Sequence, residues 1–579
     1  MRAQLPQLFP RPRELSLRGG FLPVPKVPHP TAVFLKNLPQ SIAEAEAALD
    51  AKQTTPCRIE YTEALGAESY YLEIATSGIH LKARDAAGVF YGSQTLRQIL
   101  EQNQESLPCC EVLDSPDLPI RGFMLDISRC KIPTQNEFRQ LIRALARLRV
   151  NQFQLYIEHS FAFAGHEEVW RDASPLTPAE IEQLDRECLS LGIELVPNLN
   201  TFGHMERWLR HPKYKSMAEC PEGWIHPLTQ QFKAIPGTLK PDKDSLNFIG
   251  DLLDKYLPHF RSRQINIGGD EPWELGQGFS KEAVSQKGKH AVYLDHLKKI
   301  CKLVEARGRT PQFWGDILLE DLNLASEAPG LAMPVIWGYD AGHPFNQQAE
   351  RLNSLGRSYL IAPGTSTWQS FTGRLDNALT NQVEAVSAAI KHQAQGILIT
   401  AWGDNGSHQP WPTQWLPLAS GLAQAWCFAA NQKNDFDKAC AILGNLNNED
   451  ATLTAKVLQH IGQLDSSIQK SIRNKSLTWE LLTTSKENLL EVLKEVKPNE
   501  LNASLDYLEK GRQLAKGISD DLVRSEIILG IECATAGIRR AQNKPLSREE
   551  KDRLVAEYKR VWLKRARVGG LEESVSNLI

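Results

Sequence analysis

A chain of 579 residues is too long to fold around one hydrophobic core, so we expect about two to four domains. The composition, with 42% hydrophobic and 23% charged residues, is typical of a soluble globular protein. The net charge of -3 and the lack of long runs of one sign argue against partners such as nucleic acid or an anionic membrane. No apolar run is long enough to span a bilayer.

The ten cysteines are scattered along the chain, without a C-x-x-C motif and without a Cys/His cluster at zinc-ligand spacing. We therefore expect reduced thiols and no structural metal, and nothing in the sequence calls for a cofactor. The N-terminal segment is interrupted by prolines and lacks a long apolar stretch, so it is not a signal peptide as it stands. A cytoplasmic location is the prediction, and a signal peptide removed earlier is the alternative that stays open.

Residues 1–115 have the pattern of a small α+β domain. Alternating apolar residues predict strands at 70–76 and 79–83, and an amphipathic helix follows at 86–102. The proline-rich stretch 114–119 then predicts a linker to a second domain.

From residue 120 the pattern changes to a repeated alternation of strands and helices. Helical periodicity at 136–149, 177–191 and 291–307 separates short apolar runs. Eight strand–helix units predict an α/β fold, a (β/α)8 TIM barrel over 120–430. The eight predicted strands are 122–128, 151–158, 194–200, 264–270, 311–316, 334–340, 358–364 and 396–404.

The segment 432–579 has helical periodicity almost throughout and no convincing strand, so we predict a C-terminal helical region packed on the barrel. Near its end, the stretch 562–570 could reach the mouth of the barrel. A solvated helix end is the expectation for so many charged side chains. The sequence does not indicate a function for this region.

Polar and aromatic residues gather at the ends of the predicted barrel strands, where the active sites of such barrels lie. Acids follow most of these strands and tryptophans follow several, which predicts a cavity with aromatic walls and hydrogen-bonding groups, as a pyranose ring requires. The residues at the strand ends are Asp126, Arg129, Tyr156, Glu158, His159, Asn200, His204, Asp270, Glu271, Trp314, Asp316, Trp337, Tyr339, Asp340, Trp368, Trp402 and Asp404.

The most informative stretch is 264–271, where a strand pattern ends in two glycines and the adjacent carboxylates Asp270 and Glu271. Two like charges so close push their pKa values apart, so one group can hold a proton while the other stays ionised, as acid-catalysed hydrolysis requires. The alternative is a solvated acidic turn. For other candidates the alternatives are core packing for each tryptophan, a structural role for His204 and a salt bridge for Arg129.

An ordered set of motifs resembles the β-N-acetylhexosaminidases, family 20 of the glycoside hydrolases. Residues 121–129 are similar to the first barrel strand of that family. Phe202-Gly-His204 is similar to the end of its proline-glycine-histidine loop, and 267–271 to its catalytic motif.

The resemblance covers most of 1–430. The stretch 68–100 is similar to the α+β domain that precedes the barrel in this family. Tyr156-x-Glu-His159 and Trp402-Gly-Asp404 are similar to a branch of the family with a helical C-terminal region.

In that family the 2-acetamido oxygen of the substrate attacks the anomeric carbon, so the mechanism is substrate-assisted. The resemblance implies that Glu271 is the general acid and base, and that Asp270 orients the acetamido N–H and stabilises the oxazolinium intermediate. It implies that Arg129 binds hydroxyls and that Asp404 binds the 4- and 6-hydroxyls. The remaining substrate-binding candidates are His159, His204, Trp314, Trp337, Tyr339, Trp368 and Trp402.

Two departures from the family pattern affect the site. Asn200 occupies the position of an aspartate, which puts the support that this acid gives to its neighbours in doubt. The family's tyrosine, which binds the acetamido oxygen, has no counterpart in 362–368. Tyr339 and Trp368 are the two candidates to replace it.

The sequence therefore predicts an exo-acting, retaining β-N-acetylhexosaminidase whose partner is a glycan or glycoconjugate with a terminal β-linked N-acetylglucosamine or N-acetylgalactosamine. One alternative is a catalytically weakened carbohydrate-binding protein on the same barrel. Another is an amidohydrolase-type metal barrel that uses His159, His204 and Asp316, although no two histidines have ligand spacing on one strand. A homodimer stays open.

Overall fold

The computed structural model describes residues 4–23, 57–103, 105–320, 326–468, 470 and 472–578. The part of the first predicted domain at 24–56 lies outside these residues. Of the ten cysteines, nine have described side chains, and all nine are free thiols. No helix in the described ranges is both long and apolar enough to cross a membrane.

In its described residues, the N-terminal domain is a five-stranded sheet with one helix packed against it. The strand order is β1-β5-β3-β4-β2, with β2 parallel to β4 and the other neighbours antiparallel. The helix starts at Asp85, whose side chain accepts a hydrogen bond from the Gly88 N–H. The elements are β1 (Glu14–Pro23), β2 (Cys57–Tyr61), β3 (Tyr70–Ala75), β4 (Gly78–Ala83), α1 (Ala86–Gln102) and β5 (Ser106–Asp114).

Eight parallel strands close into a barrel, in the circular order β6-β7-β8-β11-β12-β13-β14-β15. The strands β9 and β10 pair as an antiparallel hairpin outside the barrel wall. The strands are β6 (Ile120–Asp126), β7 (Gln152–Ile157), β8 (Glu194–Leu199), β9 (Trp224–Ile225), β10 (Phe232–Lys233), β11 (Gln264–Asn266), β12 (Thr310–Trp314), β13 (Met333–Trp337), β14 (Leu360–Ala362) and β15 (Gly396–Ala401).

Helices follow the barrel strands and pack around them, as the alternating pattern predicts. Short 3-10 turns cover Arg171–Ala173, Leu257–His259 and Trp411–Gln414. The helices are α2 (Gln135–Arg147), α3 (Glu167–Trp170), α4 (Pro178–Ser190), α5 (Glu206–Leu209), α6 (Pro212–Lys215), α7 (Lys243–Tyr256), α8 (Lys281–Lys287), α9 (Lys289–Glu305), α10 (Asp316–Glu320), α11 (Phe345–Ser354), α12 (Leu375–Lys391) and α13 (Trp415–Trp426).

The barrel interior contains a layer of amide side chains beneath an aromatic cluster. Gln154 donates to Gln312 Oε1 at 2.8 Å and accepts from Asn198 Nδ2 at 2.9 Å. All three side chains are buried, so these bonds satisfy amides that would otherwise be costly inside the barrel. The aromatic cluster above them belongs to the candidate site.

The C-terminal region consists of helices that pack on each other and on the barrel. The longest helix, α19, packs against α16, α18 and α20. A 3-10 turn covers Asp465–Ser467. The helices are α14 (Phe436–Leu443), α15 (Asn448–Gly462), α16 (Leu477–Thr483), α17 (Lys486–Leu493), α18 (Pro498–Ala515), α19 (Asp521–Ala541), α20 (Arg548–Arg565) and α21 (Leu571–Leu578).

The expectation of a solvated helix end at 562–570 is wrong. Arg565 is mostly buried and pairs with Glu137 of the barrel at 2.9 Å and with Glu526 at 2.8 Å. A Cβ atom at Gly570 would lie 2.2 Å from the Cys130 carbonyl oxygen, so the chain passes directly against the loop after β6. Arg565 is thus neutralised by two buried acids, and Arg567 pairs with Glu180 of the barrel.

The fold class is confirmed: a closed (β/α)8 barrel is preceded by an α+β domain and followed by helices. Every predicted barrel strand overlaps an observed one. All but β6 are shorter than predicted, and β11 and β14 have only three residues each.

Candidate active site

The carboxylate pair follows β11 on a backbone that only glycine allows. Gly268 and Gly269 have φ values of +70° and +92°, in the left-handed region. A Cβ atom at Gly268 would lie 2.1 Å from Asn200 Oδ1. The two glycines therefore turn the chain tightly at the end of the strand and bring Asp270 and Glu271 to the mouth of the barrel.

His204 joins the two carboxylates. Its Nε2 lies 3.2 Å from Asp270 Oδ2 and 3.8 Å from Glu271 Oε2. Gly203 makes this approach feasible, because a Cβ atom there would lie 2.5 Å from the Asp270 carbonyl oxygen. The loop after β8 is thus packed directly on the pair after β11.

The electrostatics of this trio keep His204 charged and favour a proton on Glu271. Burial alone would lower the pKa of His204, but the Asp270 carboxylate outweighs it and raises that pKa to about 10. Burial raises the pKa of Glu271, with the nearby Asp270 charge adding to the effect and the His204 charge opposing it. Glu271 therefore has the character of a general acid.

A third carboxyl group lies beside the pair. Asp316, after β12, accepts a hydrogen bond from the Glu271 N–H at 3.4 Å, and its other oxygen is buried without a partner among the described residues. Burial, with the charges of Asp270 and Glu271, raises the pKa of Asp316 to about 8. Asp316 is therefore neutral near pH 7, which limits the negative charge in the cavity.

Arg129 is held in a fixed position by two acids. Its guanidinium pairs with Asp126 at 3.3 Å and with Glu158 at 3.0 Å, and lies 4.6 Å from the ring centre of Tyr156. Burial raises the pKa of Glu158 to about 7, although the Arg129 charge opposes the shift. The salt bridge that was the alternative for Arg129 is present, and it leaves a pre-oriented cation at the edge of the pocket.

Asp404 lies on the loop after β15, beside the Arg129 cluster. The Gly403 N–H donates to Asp126 Oδ2 at 2.9 Å and fixes the start of this loop. Burial raises the pKa of Asp404, and the Arg129 charge opposes the shift. The carboxylate of Asp404 therefore lies within electrostatic reach of the Arg129 guanidinium at the pocket.

Aromatic rings form the wall opposite these polar groups. Tyr339 stacks on Trp337 at 5.4 Å and meets Trp368 edge-on at 5.1 Å, and Trp402 lies 5.9 Å from Trp314. All five rings belong to one cluster above the amide layer. They are the four tryptophans predicted at the strand ends and Tyr339, so both candidates for the missing tyrosine, Tyr339 and Trp368, lie in this wall.

Two indole groups in this wall carry unused donors. The Nε1 atoms of Trp314 and Trp337 are buried and have no hydrogen-bond partner in the described part of the chain, whereas the Trp402 side chain interacts with the Tyr339 hydroxyl. Buried donors are normally satisfied, so this pattern is typical of a pocket that a polar ligand completes. The aromatic wall can therefore donate hydrogen bonds as well as stack on a sugar.

His159 lies apart from the catalytic pair. It lines a separate cavity of about 180 Å³ with Arg207 and Glu573. Burial lowers the pKa of His159 to about 3, so it is neutral. Since His204 lies at Asp270, the residues of the metal-barrel alternative are not brought together, and the described residues contain no cluster of three metal-ligating side chains.

The altered position Asn200 does not take over the missing acid's role. Its side chain is fully buried, and neither amide atom has a hydrogen-bond partner among the described residues. It packs against Gly268, while Asp270 holds His204 instead. In this site His204 is therefore held by Asp270 and not by Asn200.

Three acids that were not among the predicted catalytic and substrate-binding residues of the hydrolase lie at the site. Asp126 and Glu158 hold Arg129, and Asp316 lies against Glu271. Each follows a barrel strand, so the rule that placed the other residues also placed these. Their partners could only be found from the three-dimensional arrangement.

Comparison with known proteins supports this interpretation. The model of glycosyl hydrolase family 20, domain 2, matches residues 5–115, and that of the family's catalytic domain matches residues 118–368. Hexosaminidase D of Bos taurus is 28% identical over 293 residues, which are 47% of this chain and 80% of that protein. Hexosaminidase D of Homo sapiens is 27% identical over 294 residues, and the match spans 57% of its length.

Solved structures show the same fold. A chitobiase from Flavobacterium johnsoniae superposes with a TM-score of 0.60 at 16% identity and covers 100% of both chains. An exo β-N-acetylglucosaminidase from Vibrio harveyi has a TM-score of 0.59 at 16% identity, covering 80% of this chain and 79% of that one.

A barrel with a carboxylate pair at a strand end and an aromatic, acid-lined pocket defines a sugar-cleaving enzyme, a glycoside hydrolase. The two family models together cover more than half of the chain. The protein belongs to glycosyl hydrolase family 20, and the resemblance to its β-N-acetylhexosaminidases is confirmed.

Proposed function

We propose that the protein is an exo-acting, retaining β-N-acetylhexosaminidase that removes a terminal, non-reducing β-linked N-acetylhexosamine from a glycan or glycoconjugate. The observation that carries the proposal is that Asp270 and Glu271 approach the same nitrogen of His204. Both carboxylates are thus presented from one side, which suits an arrangement in which the substrate supplies the nucleophile.

Each group has one task in the first step. Asp270 accepts the acetamido N–H, so the acetamido oxygen gains electron density and attacks the anomeric carbon. Glu271 transfers its proton to the glycosidic oxygen as the C–O bond breaks, and the leaving alcohol departs. The products of this step are the oxazolinium ion and ionised Glu271.

In the second step Glu271 acts as a base. It removes a proton from water, whose oxygen attacks the anomeric carbon and opens the oxazolinium ring. Two inversions at that carbon give net retention. His204 stays charged throughout and stabilises whichever carboxylate is ionised.

Exo action is supported by the residues at the far end of the pocket. Arg129, Asp404 and Glu158 form a charged cluster there, which suits the hydroxyls of a terminal sugar. Tyr339 is the better candidate to bind the acetamido oxygen, since its hydroxyl belongs to the wall near Trp402. The carbohydrate-binding alternative is not favoured, because both carboxylates and their charged histidine are present.

The test is hydrolysis of a chromogenic β-N-acetylglucosaminide compared with the matching β-glucoside. We expect cleavage of the first only, because the acetamido group is the nucleophile. Glu271→Gln should lower kcat by about 10²–10⁴-fold for substrates with poor leaving groups. Cleavage of both substrates by the parent would contradict the acetamido mechanism, and cleavage of neither would favour the binding protein.

A further inference from the structure

A cavity of about 450 Å³ lies where the three parts of the chain meet, and none of the candidate site residues lines it. Its wall comes from α1 of the N-terminal domain, from α2 of the barrel and from the end of α14 in the C-terminal region. We call it the junction cavity and define it by six polar side chains. These are Gln94, Arg97, Gln140, Arg143, Arg147 and Asn445.

Positive charge outweighs negative charge at the junction cavity. Three of its side chains are arginines, and no acid among the described residues lines it. The carboxylate of Glu101 pairs with two of these arginines, with Arg97 at 2.7 Å and with Arg147 at 3.2 Å. The guanidinium group of Arg143 has no hydrogen-bond or ion-pair partner in the described part of the chain. One carboxylate thus serves three guanidinium groups, which gives the cavity a positive potential.

The arginines lie together although their charges repel each other. Arg143 and Arg147 are one helical turn apart on α2, and both line the cavity. Burial lowers the pKa of Arg147, and the Glu101 charge opposes this shift. The charges of Arg97 and Arg149 add to the lowering of this pKa. An anion in the cavity relieves such repulsion, so binding of an anion stabilises the folded chain.

A buried amide without a partner also lines the junction cavity. Gln94 is only 3% exposed, and its side-chain amide has no hydrogen-bond partner among the residues that the structure describes. Buried amides are normally hydrogen-bonded, so this pattern is typical of a site that a polar ligand completes. The exposed side chains of Gln140 and Asn445 add two further amides to the wall. The cavity therefore offers amide donors beside its guanidinium groups.

We propose that the junction cavity binds a phosphate or sulfate group. A tetrahedral oxyanion of this kind has more acceptor oxygens than a carboxylate, and a planar guanidinium group can donate to two of them at once. A free ion and the end group of a phosphorylated or sulfated molecule present this same chemistry. The bound group contacts α1, α2 and the segment after α14, so it links the three parts of the chain. The site is separate from the catalytic pair and independent of the proposed function.

The test is isothermal titration calorimetry of the full chain with sodium phosphate and with sodium sulfate, at constant ionic strength in a sodium chloride background. We expect saturable binding of one anion per chain, and a rise in unfolding temperature with the same concentration dependence. Glucose 6-phosphate, with glucose as the neutral control, distinguishes the two sources of the group. Tighter binding of the ester than of inorganic phosphate assigns the site to a phosphorylated molecule, and weaker binding assigns it to the free ion.

Arg143→Gln should weaken phosphate binding by about tenfold or more, because it removes a charged donor from the site. Without phosphate this variant should unfold at the temperature of the parent or slightly above it, since a cation leaves a group of like charges. Gln94→Met removes the buried amide at similar size and should weaken binding by about three- to tenfold. Arg139→Gln is the matched control, because Arg139 is also on α2 but pairs with Glu187 at 3.1 Å and does not line the cavity. It should keep the affinity of the parent within about twofold.

Three results would overturn the proposal. The first is phosphate and sulfate binding no stronger than that of chloride at equal ionic strength. The second is an equal loss of affinity in Arg143→Gln and Arg139→Gln, which would mean that the anion responds to net charge and not to a site. The third is saturable binding that Arg143→Gln and Gln94→Met leave unchanged, which would place the anion elsewhere on the chain.

Discussion

Replacing His204 by glutamine tests the charge relationship at the centre of the site. The imidazolium lies 3.8 Å from Glu271 Oε2 and opposes the rise in the pKa of that group. Two unit charges at this distance interact by about 4 kcal/mol at an effective dielectric constant of about 20, and by about 1 kcal/mol in bulk water. The imidazolium therefore favours the ionised form of Glu271 and opposes the rise in its pKa that burial causes.

Since the Glu271 side chain is 32% exposed, solvent screens this interaction, and its energy lies near the lower of these two values. The alkaline limb of kcat/KM reports the deprotonation of the general acid. In His204→Gln this limb should therefore move to higher pH, because the charge that favoured the ionised form is gone. The assay is a pH profile with a chromogenic β-N-acetylglucosaminide.

His159→Gln is the control. Its imidazole is buried but neutral, with a pKa lowered to about 3, so removing it should leave the position of the alkaline limb unchanged even if the rate falls. A limb that stays in place in His204→Gln, or moves to lower pH, would refute the assignment of Glu271 as the acid beside a charged histidine.

The same variant has a stability signature. The pKa of His204 rises from 6.5 in the unfolded chain to about 10 in the folded one, so its contribution is fully present below pH 6.5 and is lost as pH rises through about 10. Leaving Asp270 without this partner should destabilise the protein by about 3–5 kcal/mol. The difference in unfolding temperature between parent and variant should therefore be large at pH 6 and shrink towards pH 10.

Two further substitutions test the groups around the trio. Burial raises the pKa of Asp316 to about 8, so this group keeps a proton that the unfolded chain releases near pH 4, and its contribution to stability should fall as pH rises through that window. Asp316→Asn should remove this slope in thermal unfolding, and an unchanged slope would mean that Asp316 is ionised. Arg129→Lys should lower kcat/KM by about tenfold or more. A single ammonium group cannot replace the planar guanidinium, which pairs with both Asp126 and Glu158. The measurement is steady-state kinetics. A variant that keeps the kcat/KM of the parent would mean that the guanidinium does not position the substrate.

The barrel was predictable because its strands are buried on both faces and therefore form short apolar runs. Even β14, with three residues, lies inside the predicted run 358–364. The helix 86–102 was predicted with its observed bounds, since its apolar face and the Asp85 cap are both local signals. Signals of this kind act within a few residues and need no knowledge of distant partners.

The sequence predicted which residues lie at the site, but not how these residues contact one another. The rule that barrel active sites lie at the strand ends placed Asp270, Glu271 and Arg129 together. It could not show that His204 bridges the two carboxylates, because that contact depends on the close approach at Gly203. Nor could it separate His159, which follows β7 as the rule requires but faces a different cavity.

The C-terminal helices show why charge patterns mislead when partners are far apart in sequence. Arg565 and Glu137 are 428 residues apart, so no local pattern indicates that they pair. The C-terminal helices also bring Ser574 of α21 to the loop that carries Asp404. The Ser574 hydroxyl donates to the Gly406 carbonyl oxygen, and the Ser574 carbonyl oxygen accepts a hydrogen bond from His408 Nε2 at 2.8 Å. Since Asp404 is two residues from Gly406, the last helix supports the wall of the pocket. The C-terminal helical region, for which the sequence indicates no function, therefore helps to fix the position of the loop that carries Asp404.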